Sequence, residues 1–143
     1  MAGVVFEMDL AEVSAAFDRL GGEDLARILQ EVGALVEDQT KLRLADEKTA
    51  PDGAAWAPWS EGYAATRGAH HSLLVGAGHL LGSVQNYTRG LEAVVGSNLV
   101  YAAPHQFGSA DGAMPARPWL GLSADNRHAI EDFVAGRIED LLP

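Results

Sequence analysis

One amphipathic segment constrains the fold of this chain more than any other part of its sequence. Between residues 25 and 42, apolar residues recur at the three- and four-residue spacing of one helix face: Leu25, Ile28, Leu29, Val32, Leu35, Val36 and Leu42. Glu23 and Asp24 stand in the first turn and Lys41 stands near the end, as the helix dipole favours. We therefore predict a long helix that fades by about Glu47 and buries one face in a core.

Weaker patterns before and after this segment predict a mixture of helices and strands. Residues 4–8 are β-prone, and Asp9 with Glu12 forms a capping-box pattern ahead of a helix over residues 10–20. We expect a short helix over about 79–86 and a hairpin that pairs residues 91–96 with residues 99–102.

The last helix is predicted to begin after a capping Ser123. Its expected buried face comprises Ile130, Phe133, Val134, Ile138, Leu141 and Leu142. Together these elements give an α+β fold class, with two or three helices packed on a small antiparallel β-sheet. The length of 143 residues fits a single domain over residues 1–143, with one long irregular loop at about 48–72.

The charge balance excludes several classes of function. Ten basic residues stand against 20 acidic ones, giving a formal net charge of −10, and no cluster of Lys and Arg is available to displace counterions from duplex DNA. With no cysteine, the chain has no thiol nucleophile, disulfide or cysteine-based zinc site. No apolar run is long enough to span a bilayer, and no signal peptide is evident, so we expect no membrane partner.

Large aromatic residues stand in the two segments that lack helical or strand periodicity. Trp56 and Trp59 lie in the loop over 48–72, which also contains the turn formers Pro51-Asp52-Gly53 and Pro58. Trp119 lies in the second segment, where it follows Pro118. Such residues either pin a loop to its own domain or anchor a partner, and the sequence leaves both alternatives open.

The second irregular segment runs from Gly96 to Leu122. It holds the stretch Pro104-His105-Gln106-Phe107-Gly108, a glycine-rich turn, and an arginine enclosed by prolines in Pro115-Ala116-Arg117-Pro118. This chemistry suits docking against another protein better than turnover of a substrate. The predicted interface residues are Trp56, Trp59, Tyr101, His105, Phe107, Arg117 and Trp119.

Candidate catalytic and cofactor sites are weak. His70 and His71 are adjacent and His79 follows eight residues later, which is not the spacing of metal ligands on a helix or strand. The glycines at 76, 78 and 82 form GxGxxxG rather than a nucleotide-binding motif. His105 has only Ser109 and Asp111 as local catalytic companions. We predict no catalytic, cofactor-binding or metal-binding residue and no cofactor.

Five short motifs occur in an order that suggests a family. They are Pro51-Asp52-Gly53 with Trp56 and Pro58, the segment from Leu73 to Val84, Val94-Val95-Gly96-Ser97, Tyr101-Ala102 with His105-Gln106-Phe107-Gly108, and Pro115-Ala116-Arg117-Pro118-Trp119-Leu120-Gly121. Over residues 23–142 the chain resembles the phage virion morphogenesis, or tail completion, family of Mu-like phages and prophages. It departs from the usual pattern at Ala77, where threonine is common, and at Trp119, where phenylalanine is common.

The resemblance implies a non-enzymatic α+β protein of the phage neck or tail. It implies assembly into rings, often of six subunits, and partners among neighbouring neck, tail and connector proteins. It also implies a location in the virion after assembly in the host cytoplasm. DNA would pass through the lumen without sequence-specific binding, and acidic walls would repel it. Two alternatives stay open: a small prophage-encoded enzyme that uses His105, and an adaptor that acts outside the virion.

Overall fold

The fold combines a long helix, a second long helix and a small sheet, and it is described from a computed structural model over residues 4–9, 21–68, 71–75 and 78–141. In chain order the elements are β1 (Val4–Asp9), α1 (Gly22–Leu42) with a π-helical continuation (Arg43–Glu47), α2 (Glu61–Ala64), α3 (His79–Ser83), β2 (Gln85–Arg89), β3 (Glu92–Ser97), α4 (Ala102–Phe107) and α5 (Ala124–Leu141). The α+β class predicted from the sequence is confirmed. The helix predicted over 10–20 lies outside the described residues.

The sheet has three antiparallel strands in the order β1-β3-β2. Val4 is paired with Ser97 and Asp9 with Glu92, so the first strand of the chain lies beside a strand more than 80 residues later. On its other side β3 pairs with β2, from Gln85 opposite Gly96 to Arg89 opposite Glu92. Residues 93–97 of β3 are all buried, as expected of a central strand, whereas burial in β2 alternates along the strand.

The predicted hairpin between 91–96 and 99–102 is wrong. The partner of β3 is β2, to which it is joined by Gly90 and Leu91, with Gly90 at a φ of 58°. Residues 102–107 form α4 instead of a strand. Pro104 explains the difference, because a proline fits in the first turn of a helix, where its missing amide is not needed, but it disfavours a strand.

The helix α1 buries one face in the core, as predicted. Its buried face packs against β2 and β3 and against α5, and it includes Ile28, Leu29, Val32 and Val36. The helical path continues as a π turn to Glu47, where the sequence pattern predicts that it fades. Lys48 follows in a left-handed conformation, and its ammonium donates hydrogen bonds to the carbonyl of Leu73 at 2.7 Å and to the Ser72 hydroxyl at 2.9 Å.

The last helix begins where the sequence predicts. The Ser123 hydroxyl accepts the Asn126 amide at 3.0 Å, and the Asn126 side chain accepts the Ser123 amide at 3.1 Å, which confirms the cap. Ile130 is buried, and the partly buried residues that pack against the core from this helix are Phe133, Val134, Ile138 and Leu141. Leu142 lies outside the described residues. The helix expected over 79–86 is shorter, because Val84 is extended and leads into β2.

Candidate functional site

Three segments that are distant in sequence meet at one junction, formed by residues 51–58, 105–108 and 115–121. The indole of Trp56 donates a 2.7 Å hydrogen bond to the carbonyl of Pro118. The Arg117 guanidinium donates through Nε to the carbonyl of Ala57 at 2.7 Å and through Nη2 to that of Pro58 at 3.0 Å. These contacts hold the first half of the irregular loop against the segment between the two prolines.

The helix α4 forms the other side of the junction. The Gln106 side-chain oxygen accepts the amides of Trp119 at 3.0 Å and Leu120 at 2.9 Å, and its Nε2 donates to the Leu120 carbonyl at 3.1 Å. The carbonyl of His105 accepts the Arg117 amide at 2.7 Å. One glutamine therefore supplies the hydrogen bonds that a neighbouring β-strand would supply to residues 119–120.

Two glycines allow these backbones to approach closely. A Cβ at Gly108, whose φ is 82°, would lie 3.1 Å from both the Ala116 nitrogen and the Met114 carbonyl oxygen. A Cβ at Gly121, whose φ is 142°, would lie 2.9 Å from Cγ of Pro51. Both positions combine a left-handed backbone with a close contact, so both favour glycine.

A buried arginine in the π-helical turn after α1 forms hydrogen bonds with the junction. Arg43 is fully buried, and its Nη1 donates to the carbonyls of Trp119 and Gly121, each at 3.1 Å, while Nη2 donates to the side chain of Asn126. Burial lowers the pKa of Arg43, and Glu47 opposes that shift. Arg43 is a functional residue that the sequence analysis missed. Its spacing of seven residues from Val36 places it on the apolar face of α1, which is the signal that could have identified it.

Two of the predicted interface residues belong to the core. Trp119 is 0% exposed and donates its indole N–H to the carbonyl of Ala102 at 3.2 Å. Trp56 is 5% exposed. Of the two alternatives for these indoles, the structure therefore shows intramolecular packing, and in this fold neither offers a surface to a neighbour. Their side chains are apolar with one polar atom, and burial with that atom hydrogen-bonded is their most stable placement.

Four other predicted residues line one open groove of about 780 Å³, here called the basic groove. They are Trp59, Tyr101, His105 and Arg117, and further lining comes from Tyr63, Arg67, His71 and His79. The rings of Trp59 and Tyr63 meet edge to face at 6.0 Å, as do those of Tyr101 and His105. The Arg67 guanidinium lies 4.7 Å from the centre of the Tyr63 ring. Phe107 is not part of the lining and is 70% exposed.

The charge of this groove is opposite to that of the whole chain. Among the described residues its lining contains two arginines and three histidines and no carboxylate. Burial and the Arg117 guanidinium lower the pKa of His105, because both disfavour the charged ring. The His105 Nδ1 and the Arg67 Nε are buried without a hydrogen-bond partner in the described part of the chain. The groove can therefore accept a ligand that brings negative charge or hydrogen-bond acceptors.

The structure does not assemble the catalytic group considered for His105. Ser109 and Asp111 hydrogen-bond to each other at 2.6 Å in a turn, and neither lines the groove with His105. The Ser109 contact lowers the pKa of Asp111 by stabilising its charged form. Within the described residues, no group of three or more His, Asp or Glu could hold a metal ion. No helix there is long and apolar enough to cross a membrane.

The family of this chain follows from its match to a known protein family. The model of the phage virion morphogenesis family matches residues 8–139. The chain belongs to the phage virion morphogenesis family. Membership assigns it a role in the assembly of phage virions and confirms the family indicated by the five sequence motifs.

Two relatives of this virion morphogenesis protein come from Mu and a Mu-like prophage. The "Putative capsid assembly protein G" of Escherichia phage Mu is 28% identical over 146 aligned positions, which cover 94% of each chain. The "Mu-like prophage FluMu G protein 2" of Haemophilus influenzae is 42% identical over 66 positions, 42% of this chain and 48% of the relative. No solved structure matches the chain.

Three of the five motifs that carried the resemblance have a physical explanation in the junction. Pro51 contacts Gly121, Trp56 bonds to Pro118, and Gln106 bonds to residues 119–120. The motifs thus supply the residues that hold the irregular segments of this virion morphogenesis protein together. These contacts place α4 and the basic groove side by side.

Proposed function

We propose that this protein is a structural component of the virion tail or neck that completes tails or joins them to heads. It acts through protein–protein contacts in a ring of identical subunits and catalyses no reaction. The observation that carries the proposal is the hydrogen-bonded junction, which presents exposed apolar side chains and an open groove beside α4. Its partners are further copies of itself and the adjoining neck, tail or connector proteins.

Exposed apolar side chains support assembly through this surface. Phe107 is 70% exposed and Val100 is 77% exposed, at the two ends of the segment that contains α4. Val100 adjoins Tyr101, which lines the groove, and an exposed apolar patch with a polar rim is a feature of protein–protein contact sites. Because the junction already fixes the backbone, little conformational entropy is lost when a neighbour covers them.

The acidic composition supports passage of DNA through the centre of such a ring. A net charge of −10 repels phosphate, so DNA would move through the lumen without being held. The same charge argues against sequence-specific nucleic-acid binding. The finished subunit would reside in the tail or neck, after assembly in the cytoplasm of the bacterial host and without a membrane partner.

A second candidate is assembly of the head itself. The name of the phage Mu relative, which aligns over 94% of this chain, refers to capsid assembly. The two candidates differ in the particles that accumulate when the protein is missing. A joining or tail-completion protein acts after heads are built, whereas a head-assembly protein acts before.

Electron microscopy of lysates separates these candidates. Cells induced for the phage that encodes this chain, with its gene deleted, should contain DNA-filled heads and unjoined tails. Supplying the wild-type gene in trans should restore joined, infectious particles. Loss of heads would instead support the capsid candidate, and a normal yield of infectious particles would refute both. A subunit that restores particles when every groove histidine is replaced would argue against the enzyme alternative.

A further inference from the structure

We propose that the basic groove receives the acidic outer face of α5 from a second copy of the chain. This inference rests on the proposed assembly into a ring and names the two surfaces that meet in it. The contact is head to tail, with the groove of one subunit against the last helix of the next. Unlike surfaces of this kind generate closed rings when the rotation between subunits closes.

The positive charge of the groove favours a negatively charged partner. Arg67 and Arg117 are its charged residues, and neither has a carboxylate partner among the described residues. The Arg117 guanidinium donates hydrogen bonds to the carbonyls of Ala57 and Pro58. Because these acceptors are neutral, they do not compensate its positive charge. Arg67 lies over Tyr63, and its buried Nε has no acceptor among the residues that the structure describes. An arriving carboxylate would supply both charge and acceptors.

The outer face of α5 carries matching carboxylates at a regular spacing. Asp125, Asp132 and Glu139 recur every seven residues and are all exposed, so they follow one line along the helix on the side away from the core. Asp132 and Glu139 make no ion pair or hydrogen bond within the described part of the chain. Successive carboxylates on this line lie about 10 Å apart along the helix axis.

Small residues separate these carboxylates. Ala129, Ala135 and Gly136 are exposed on the same side of α5, and a Cβ built at Gly136 would meet nothing within 4 Å. These small residues leave room for a neighbour to approach the helix backbone between the carboxylates, and the exposed His128 is the large side chain beside them. The bulky residues of α5, including Ile130 and Phe133, face its own core.

Charge complementarity favours a second copy as the occupant. Two chains of net charge −10 repel each other unless a basic surface of one meets an acidic surface of the other. The groove, whose described lining holds no carboxylate, and the line of Asp125, Asp132 and Glu139 on α5 form such a pair. Opposite signs on separate surfaces of one subunit orient each new subunit in the same direction.

A reciprocal charge exchange tests the contact by sedimentation velocity. We expect the wild type to associate, and we expect Arg67→Glu alone and Asp132→Lys/Glu139→Lys alone each to weaken self-association about tenfold or more, because like charges then face each other. An equimolar mixture of the two variants should associate again, since each altered surface finds its complement. The matched controls are Arg27→Glu and Asp38→Lys, which change exposed charges on α1 and should associate like the wild type.

Disulfide cross-linking of introduced cysteines tests the same contact if charge reversal impairs folding. The chain contains no cysteine, so Tyr63→Cys with Glu139→Cys should give disulfide-linked oligomers on oxidation, whereas Arg27→Cys with Glu139→Cys should not. A monomeric wild type, unchanged association of Arg67→Glu, or failure of the mixture to associate would each overturn the inference. If Arg67→Glu blocks particle formation but not self-association, the occupant is another virion protein, and the proposed function survives without this contact.

Discussion

The indole nitrogen of Trp56 lies 2.7 Å from the carbonyl oxygen of Pro118, across 62 positions of sequence. This bond joins the irregular loop to the segment enclosed by prolines. Beside it, the Arg117 guanidinium bonds to the next two carbonyls of the loop. The loop is thus held by an aromatic side chain and an arginine that act on each other's backbone segments.

Substitutions at Trp56 should separate this hydrogen bond from burial of the ring. Trp56→Phe keeps most of the apolar contact and should lower the free energy of unfolding by about 1–3 kcal/mol, since the Pro118 carbonyl loses its donor. Trp56→Ala should cost about 3–5 kcal/mol because it also leaves a cavity. Urea unfolding followed by circular dichroism measures both. Equal losses for the two variants would show that the hydrogen bond, and not packing, dominates.

Gln106 should contribute more to stability than its partial exposure suggests. Gln106→Ala removes one acceptor shared by two amides and one donor to the Leu120 carbonyl, and we expect a loss of about 2–3 kcal/mol. Gln30→Ala, at an exposed position of α1, is the matched control and should change stability by less than about 0.5 kcal/mol. Hydrogen exchange should also become faster at the amides of residues 119 and 120. Unchanged exchange there would contradict the assigned pairing.

A side chain at position 121 should destabilise the folded protein. Gly121→Ala places a Cβ 2.9 Å from Pro51 at a φ of 142°, so thermal unfolding should report a loss of about 1–3 kcal/mol. Gly82→Ala serves as the control, because a Cβ there meets nothing within 4 Å and Gly82 lies in α3. That variant should be neutral or slightly stabilising. A neutral Gly121→Ala would mean that the loop and residue 121 do not pack as described.

Arg43 should be among the most sensitive positions in the chain. Arg43→Met removes donors from the carbonyls of Trp119 and Gly121 and from Asn126, and we expect a loss of about 3–5 kcal/mol in denaturant unfolding. Arg43→Lys keeps the charge but not the fork geometry and should still be destabilising. The exposed Arg27 offers the control substitution Arg27→Met. If Arg43→Met is as stable as that control, the buried guanidinium is dispensable.

His105 should make stability depend on pH in one direction. Its pKa is lowered in the folded state, so protonation favours the unfolded chain. Its contribution is therefore complete above the ordinary histidine pKa of about 6.5 and is lost as the pH falls from there through the lowered value. His105→Gln should be less destabilising at about pH 5 than at about pH 8. Parallel unfolding curves of His128→Gln, an exposed position on α5, give the background. A pH-independent effect would contradict the lowered pKa.

The helical part of this fold could be predicted because its signals are local. The apolar period of α1 and the Ser123 cap of α5 follow from residues a few positions apart. The hairpin was misassigned because the apolar run Leu99-Val100-Tyr101 favours a strand in isolation, whereas Pro104 and the contacts of Gln106 favour a helix. The sequence did contain the correct turn signal at Gly90, between the polar strand β2 and its partner.

The location of the site could be predicted from the sequence, but which of its residues are buried and which line the groove could not. Irregular, aromatic-rich segments indicated where contacts would form, and Trp59, Tyr101, His105 and Arg117 do share one groove. Trp56 and Trp119 have the same local appearance and yet are buried. Whether an indole faces inward depends on carbonyls some 17 and 62 positions away, and no local pattern encodes them. The support by Arg43 depends on equally distant partners.

The place of β3 between β1 and β2 has a consequence for biosynthesis. A growing chain on the ribosome presents its first strand long before residues 92–97 have emerged, and that strand cannot complete its ladder until then. Native topology of this kind is reached late in translation and slows folding. Nascent chains therefore lack the completed sheet, and only finished subunits are available for virion assembly.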